Sequence, residues 1–388
     1  MTKELVEGAK LSGISEMYDL ANRMGTDLIR FETGGVDFPT PGHIIRSANA
    51  AMLEGKTNYA PYKGHDNLRS AIAGKLERKN GIHKGIEEIL VTTGGSEALF
   101  LLFQTMLGKG DEVILANPSW PHFAEMIRLS DGLPVEVPFL SEDGQRFDGA
   151  LLEQAITSRT AAILINSPHN PTGNVLSKSN LEQIAEIAGP KNIPVISDEV
   201  YEDLVYDSNK HVSMGSVYDN VISLYSFSKT YAMCGWRMGY IAANAKLVDA
   251  MTKLHIYSVT CVPSFIQMAG QTALEGDQSE VSKMVKAYEQ RRNCMVNGLN
   301  SIPNIKCPVP KGALYAWPDI SHYGSSKDVA KRLLEKSRCV TVPGSAFGSM
   351  GEGRLRLSLS LSEDRINEGI KRIKEELSSA SAQAAKIG

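Results

Sequence analysis

At 388 residues the chain is longer than the roughly 250–300 residues at which one hydrophobic core stops growing, so two domains are expected. Forty-one basic against forty-four acidic residues give a net charge of −3, and no basic run or pole stands out, which argues against a nucleic-acid partner. Hydrophobic and charged fractions of 42% and 22% are those of a globular protein, and apolar runs such as Ala161-Ala162-Ile163-Leu164-Ile165 are too short to cross a bilayer.

The first residues, Met1-Thr2-Lys3-Glu4-Leu5-Val6-Glu7-Gly8, lack the apolar stretch of a secretory signal. Cys234, Cys261, Cys294, Cys307 and Cys339 are widely spaced with no CxxC pair, so reduced thiols, no metal site and a cytoplasmic location are expected. From about residue 65 to 275, short apolar runs alternate with amphipathic stretches. Strands are expected at 88–92, 112–115, 161–166, 194–197, 221–225 and 238–242, with helices at 96–106, 121–129, 181–188 and 247–256. This alternation predicts an α/β domain with a largely parallel sheet, whose ligands bind beyond the carboxyl ends of the strands. After residue 280 the pattern changes to a long polar helix at 281–299, strands at 313–317, 340–342 and 355–359, and helices at 326–336 and 363–377. That reads as a smaller α+β unit, with a small, polar tail from Leu377 expected to fray.

The turns after the strands carry the chemistry. Val221-Ile222-Ser223-Leu224-Tyr225 runs into Ser226-Phe227-Ser228-Lys229-Thr230, with Arg237 eight residues beyond the lysine. A lysine ending such a strand sits at the rim of a core, where burial favours a nucleophilic amine. The hydroxyls of Ser226 and Ser228 and the cation of Arg237 suit a phosphate. Together they match what pyridoxal phosphate requires, an aldehyde with a phosphate tail held by an amine; the plainer reading is a solvated lysine in a polar turn.

Asp198 ends the buried-looking run Ile193-Pro194-Val195-Ile196-Ser197. A carboxylate there needs a cation, which a pyridinium N–H would supply, or else it caps a helix. Tyr201, three residues on, and Asn170 in Asn170-Pro171-Thr172-Gly173 could donate to a ring oxygen. Glu199 and His169 read as structural neighbours, and Cys234 as a packing residue. Thr93-Gly94-Gly95-Ser96-Glu97 joins a strand to a helix, where backbone N–H groups can meet a phosphate; an ordinary glycine turn is the alternative. Trp120 could stack on a flat ring or lie in the core. In Gly353-Arg354-Leu355-Arg356, the fork of Arg356 suits an α-carboxylate, with Arg354 on the same face; a solvated face is the alternative.

Taken together, these pieces resemble the class I/II aminotransferases of pyridoxal phosphate fold type I. Asp37-Phe38-Pro39-Thr40-Pro41, Gly94-Gly95-Ser96, Asn117-Pro118-Ser119-Trp120, Asn170-Pro171-Thr172-Gly173, Asp198-Glu199-Val200-Tyr201, Ser226-Phe227-Ser228-Lys229 and Gly353-Arg354-Leu355-Arg356 occur in the family's order across nearly the whole chain. The resemblance implies amino-group transfer between an L-amino acid and a 2-oxo acid, 2-oxoglutarate by family habit, with an aspartate or aromatic donor. It implies Lys229 as Schiff-base lysine and proton shuttle, Asp198 on the pyridine nitrogen, and Asn170 and Tyr201 on the ring oxygen. Trp120 would stack on the ring, and Gly95, Ser96, Glu97, Ser226, Ser228 and Arg237 would surround the cofactor. Arg356 would take the α-carboxylate with Asn170, Trp120 and the Gly35 backbone nearby.

Tyr59 would reach the phosphate of a neighbouring subunit, implying a homodimer with shared sites. The implied architecture has a large cofactor-binding domain at 43–280, with residues 1–42 joining a C-terminal small domain at 281–388. A fold-type I lyase, such as a carbon–sulfur β-lyase, shares almost all of these residues, and a non-catalytic sensor is a further alternative. Two departures stand out: Val36 where the family shows proline, and Ser96 where one aspartate-specific subgroup carries lysine. Lys63 could supply that cation from a partner subunit, or be merely solvated.

Overall fold

The computed structural model describes residues 4–9, 11–141 and 146–387. Seven strands form its central sheet: β1 (Ile89–Thr92), β2 (Glu112–Ala116), β3 (Leu133–Val137), β4 (Thr160–Asn166), β5 (Val195–Asp198), β6 (Val221–Ser226) and β7 (Gly239–Ala242). Their order is β1-β7-β6-β5-β4-β2-β3, parallel except for β7, which is antiparallel to both its neighbours. All residues of β1, β2, β5 and β7 are buried, which is why their sequences are continuous apolar runs rather than alternating ones. Successive side chains still go to opposite faces. Val113 and Leu115 join Leu99, Leu102 and Phe123 on one side, while Ile114 joins Leu181 and Ile184 on the other.

Strand β3 is absent from the sequence reading. It is the edge strand, half-exposed along Leu-Pro-Val-Glu-Val, and only an edge tolerates a proline that cannot donate to the ladder.

The helices that matter for the site are α1 (Gly13–Arg23), α2 (Gly95–Met106), α3 (Pro121–Arg128), α4 (Ser279–Asn300) and α5 (Glu363–Ile387). The last runs on past Leu377, where fraying was expected, because Ser, Ala, Gln and Lys retain adequate helix propensity. A second core gathers Met17, Ile29 and Phe31 from the N-terminal segment with Tyr288, Leu314, Val340, Leu357 and Ile366 from the C-terminal part. The two parts are also stitched by backbone, Ile29–Arg30 pairing in parallel with Cys339–Val340. A three-stranded antiparallel sheet places Leu355–Ser358 between Val342–Pro343 and Tyr315–Ala316. Among the described residues, no helix is long and apolar enough to cross a membrane.

Candidate active site

Register decides where the chemistry collects. Asn166 pairs with Asp198 across β4 and β5, Asp198 pairs with Leu224 across β5 and β6, and Ser226 pairs with Gly239 across β6 and β7. The ends of three strands therefore open onto one cavity of about 260 Å³. Ser226 stops β6 and accepts a hydrogen bond from the Ser228 N–H at 3.1 Å, capping the short turn Phe227–Thr230. That turn directs Lys229 into the cavity, where Nζ donates to the Gly34 carbonyl at 2.5 Å and lies 3.9 Å from Cys234 Sγ. The Cys234 thiol donates in turn to the Ser228 carbonyl at 3.1 Å, so it braces the turn.

Asp198 is 4% exposed, yet its carboxylate receives only the Val200 N–H at 3.2 Å and faces no cation among the described residues. Burial pushes its pKa up to about 7; the Val200 N–H pulls the other way, and the charge of Glu199 adds to the rise. Glu199 itself is saturated, accepting from Ser197, Ser213, Met214 N–H and His211, as a structural carboxylate should be. Asn166 braces both neighbouring loops, donating to the Asp198 carbonyl at 3.0 Å and accepting from the Asn170 N–H at 2.8 Å. Tyr201 shares a hydrogen bond of 2.8 Å with Tyr315, and burial with this phenolic neighbour drives its pKa well above the ordinary value.

Arg356 is 1% exposed. Its guanidinium lies 4.4 Å from the Tyr315 ring centre and 5.0 Å from that of Phe347, and donates to the Asn170 side-chain oxygen at 3.2 Å and the Glu32 carbonyl at 2.7 Å. Its Nε is buried without an acceptor. Arg354 does not join it, pairing instead with Asp319 at 3.8 Å.

Gly95 and Ser96 begin α2 on the cavity wall, with Ser226, Ser228 and Arg237 in the same lining. Gly94 has φ +83°, and a Cβ there would come within 2.7 Å of Arg237 Nη2. Arg237 is itself left-handed at φ 57°, its guanidinium donating to the Cys234 carbonyl at 2.9 Å. Trp120 precedes α3 on the cavity wall, its ring edge-on to His122 with centroids 4.3 Å apart.

Three expected residues stand elsewhere. Gly34 rather than Gly35 forms the cavity wall; the Gly35 N–H turns to Thr33 Oγ1 at 3.3 Å. The Glu97 side chain turns away to Thr93, His255 and Ser258. Tyr59 is 86% exposed and not part of the lining. Lys63 is neither free nor merely solvated, since its amine pairs with Asp249 at 2.7 Å and Glu87 at 2.9 Å. Residues not anticipated in the lining include Tyr315, Ile14 and His122. Tyr315 and Ile14 come from elements remote in sequence. His122 carried a signal, standing two positions after Trp120 at a helix start.

The polar atoms left wanting here define the ligand. A buried carboxylate without a cation suits a protonated pyridine nitrogen, and a helix N-terminus beside an arginine suits a phosphate. A lysine amine between the two suits an aldehyde. Fold and cavity thus define an enzyme that depends on pyridoxal 5'-phosphate.

Residues 26–373 match the family described as aminotransferase class I and II. The aspartate aminotransferase of Pyrococcus horikoshii is 40% identical over 95% of both chains. The probable aspartate/prephenate aminotransferase of Aquifex aeolicus is 42% identical, over 91% of this chain and 92% of its own. Among solved structures, the aromatic aminotransferase of Pyrococcus horikoshii superposes with a TM-score of 0.89 at 37% identity, covering 95% of this chain and 99% of its own. The chain belongs to the class I and II aminotransferases, and it is a pyridoxal phosphate-dependent transaminase acting on small amino and 2-oxo acids.

Proposed function

We propose that this chain moves the amino group of aspartate or an aromatic L-amino acid to 2-oxoglutarate, with Lys229, Asp198 and Arg356 as its principal residues. The supporting observation is that amine, cation-less carboxylate and forked guanidinium face one cavity while Arg356 Nε lacks an acceptor. The names of the relatives, aspartate, aspartate/prephenate and aromatic, favour these donors.

When bound, pyridoxal phosphate supplies an aldehyde that accepts the amino group and a ring that takes up electrons from Cα. Asp198 holds the ring nitrogen protonated. Asn170 and Tyr201 donate to the ring oxygen, with Tyr315 fixing the direction of the Tyr201 hydroxyl. Trp120 covers the ring. Gly95, Ser96, Ser226, Ser228 and Arg237 hold the phosphate, and Glu97 acts indirectly by bracing Thr93 at the head of α2. Arg356 clamps the substrate α-carboxylate, and the Gly34–Gly35 backbone closes over it. Lys229 Nζ would take the proton from the substrate Cα and deliver it to the carbon that the cofactor's aldehyde supplies, so one flexible amine serves as both base and acid.

We take residues 43–280 as the large domain, and 1–42 with 281–388 as the small one. The molecule works as a homodimer in which Tyr59 reaches the partner subunit's phosphate; the exposure of Tyr59, Leu53 and Tyr257, at 86%, 82% and 89%, supports this. A panel of amino donors with 2-oxoglutarate tests the reading. Aspartate or aromatic donors should give the highest kcat/KM, and pyruvate with ammonia as sole products would refute it in favour of elimination.

A further inference from the structure

An aminotransferase passes two different substrates through one cavity, so the wall that meets the side chain must accommodate both. The cations lining this cavity are Lys229, Arg237 and Arg356, and the proposed reaction engages all three at the cofactor or the α-carboxylate. Ser96 brings no charge, and Lys63 is held by Glu87 and Asp249. A second carboxylate on the substrate therefore finds no free lysine or arginine among the described lining residues.

One further lining residue can take up a positive charge. His122 stands in the first turn of α3, on the wall shared by this cavity and a neighbouring groove bounded by Ser12, Ser15 and Glu125. Its ring packs edge-on against Trp120, and its nitrogens have no hydrogen-bond partner among the described residues. Ile14, from the start of α1, lines the same cavity and offers an apolar surface beside it. We propose that His122 recognises the substrate side chain, as a neutral imidazole against an aromatic or aliphatic group and as an imidazolium against a second carboxylate. The proposal rests on Arg356 holding the α-carboxylate.

The surrounding charges agree. Burial, then the charge of Arg356, lowers the pKa of His122, so its ring is uncharged at neutral pH. The other charged groups near it are engaged: on its own helix Glu125 pairs with Arg128 at 2.6 Å, from β3 Glu136 lies 3.8 Å from Arg128, and on α1 Glu16 faces Lys327 at 3.4 Å. Across the cavity stand Lys229, Asp198, Tyr201 and Tyr315. A bound dicarboxylate brings the negative charge that restores the proton, so its binding takes up one proton that a monocarboxylate does not require.

The test is the dissociation constant of maleate and of 3-phenylpropionate for the cofactor-loaded enzyme, read from cofactor absorbance between pH 6.5 and 8.5. Ionisations common to both ligands cancel in the ratio of the two constants. The maleate constant should rise about tenfold per pH unit relative to that of 3-phenylpropionate, the slope for one linked proton. His122→Asn should remove that difference and weaken maleate about 100-fold at pH 6.5, the product of two tenfold steps; His122→Gln provides a second variant, and retained cofactor absorbance shows that either has folded. Equal pH dependence of the two ligands in the wild type, or a difference that survives both variants, would overturn the proposal. Binding of neither ligand would overturn the assignment of Arg356, and this proposal with it.

Discussion

Asp198→Asn isolates the carboxylate on which the cofactor assignment turns. The native carboxyl is 4% exposed, and its pKa rises in the fold from 3.8 to about 7. A rise of that size corresponds to about 4 kcal/mol at 1.36 kcal/mol per pH unit. The folded state retains a proton that the unfolded chain releases, so stability of the cofactor-free protein falls as pH climbs from 3.8 through 7, with the full penalty reached above 7. An asparagine keeps an oxygen for the Val200 N–H and never ionises. With an unfolding entropy of about 2.1 cal/mol/K per residue, 1 kcal/mol moves the melting temperature of 388 residues by about 1 °C. The cofactor-free variant should therefore melt up to about 5 °C above cofactor-free wild type at pH 8.5 and only about 1 °C above it near pH 4.5. Adding pyridoxal phosphate at pH 8.5 should reverse the order, because only the carboxylate gains the pyridinium. Differential scanning fluorimetry of both proteins, with and without cofactor, reads all four values. A variant with no advantage at pH 8.5, or one whose advantage is the same at both pH values, would refute the reasoning.

Arg356→Lys keeps the charge but loses the fork; losing one charge-assisted hydrogen bond of about 2–3 kcal/mol should lower kcat/KM roughly 30- to 150-fold, measured by steady-state assay with unchanged cofactor absorbance. Gly94→Ala must place a methyl 2.7 Å from Arg237 Nη2 at φ +83°, so pyridoxal phosphate affinity should fall about tenfold by absorbance titration, from a strain of about 1–2 kcal/mol. Lys75→Ala strands Glu202, whose carboxylate it meets at 2.5 Å in a buried pair. Lys79 at 3.7 Å compensates in part, leaving an expected loss of about 3 kcal/mol in denaturant unfolding.

Lys229 and Asp198 were legible because each ends an apolar run long enough to be a buried strand, and a charge at such an end demands a partner. Gly95, Ser96 and Arg237 line the same cavity, but the turn at Gly94-Gly95-Ser96 read alone allowed an ordinary glycine turn, and the resemblance is what joined it to Arg237. What escaped depended on distances that sequence does not encode. Tyr315 and Ile14 come to the cavity from elements whose own periodicity reports only packing. The choice of Gly34 over Gly35 is a one-residue phase in an irregular segment, where no repeat sets direction. Edge strand β3 was missed because its exposure removes the apolar signature. Lys63 looked available in sequence, whereas its partners Glu87 and Asp249 lie 24 and 186 positions away. Tyr59 is exposed within one chain, and the role proposed for it rests on the resemblance alone.

The most direct measurement is borohydride reduction of the cofactor-loaded protein, followed by peptide mass mapping. Cofactor mass on the peptide carrying Lys229, and none in a Lys229→Ala variant that has lost turnover, is the expected result. Label on any other lysine, or transamination by the alanine variant, would show that Lys229 is not the amine on which this site is built.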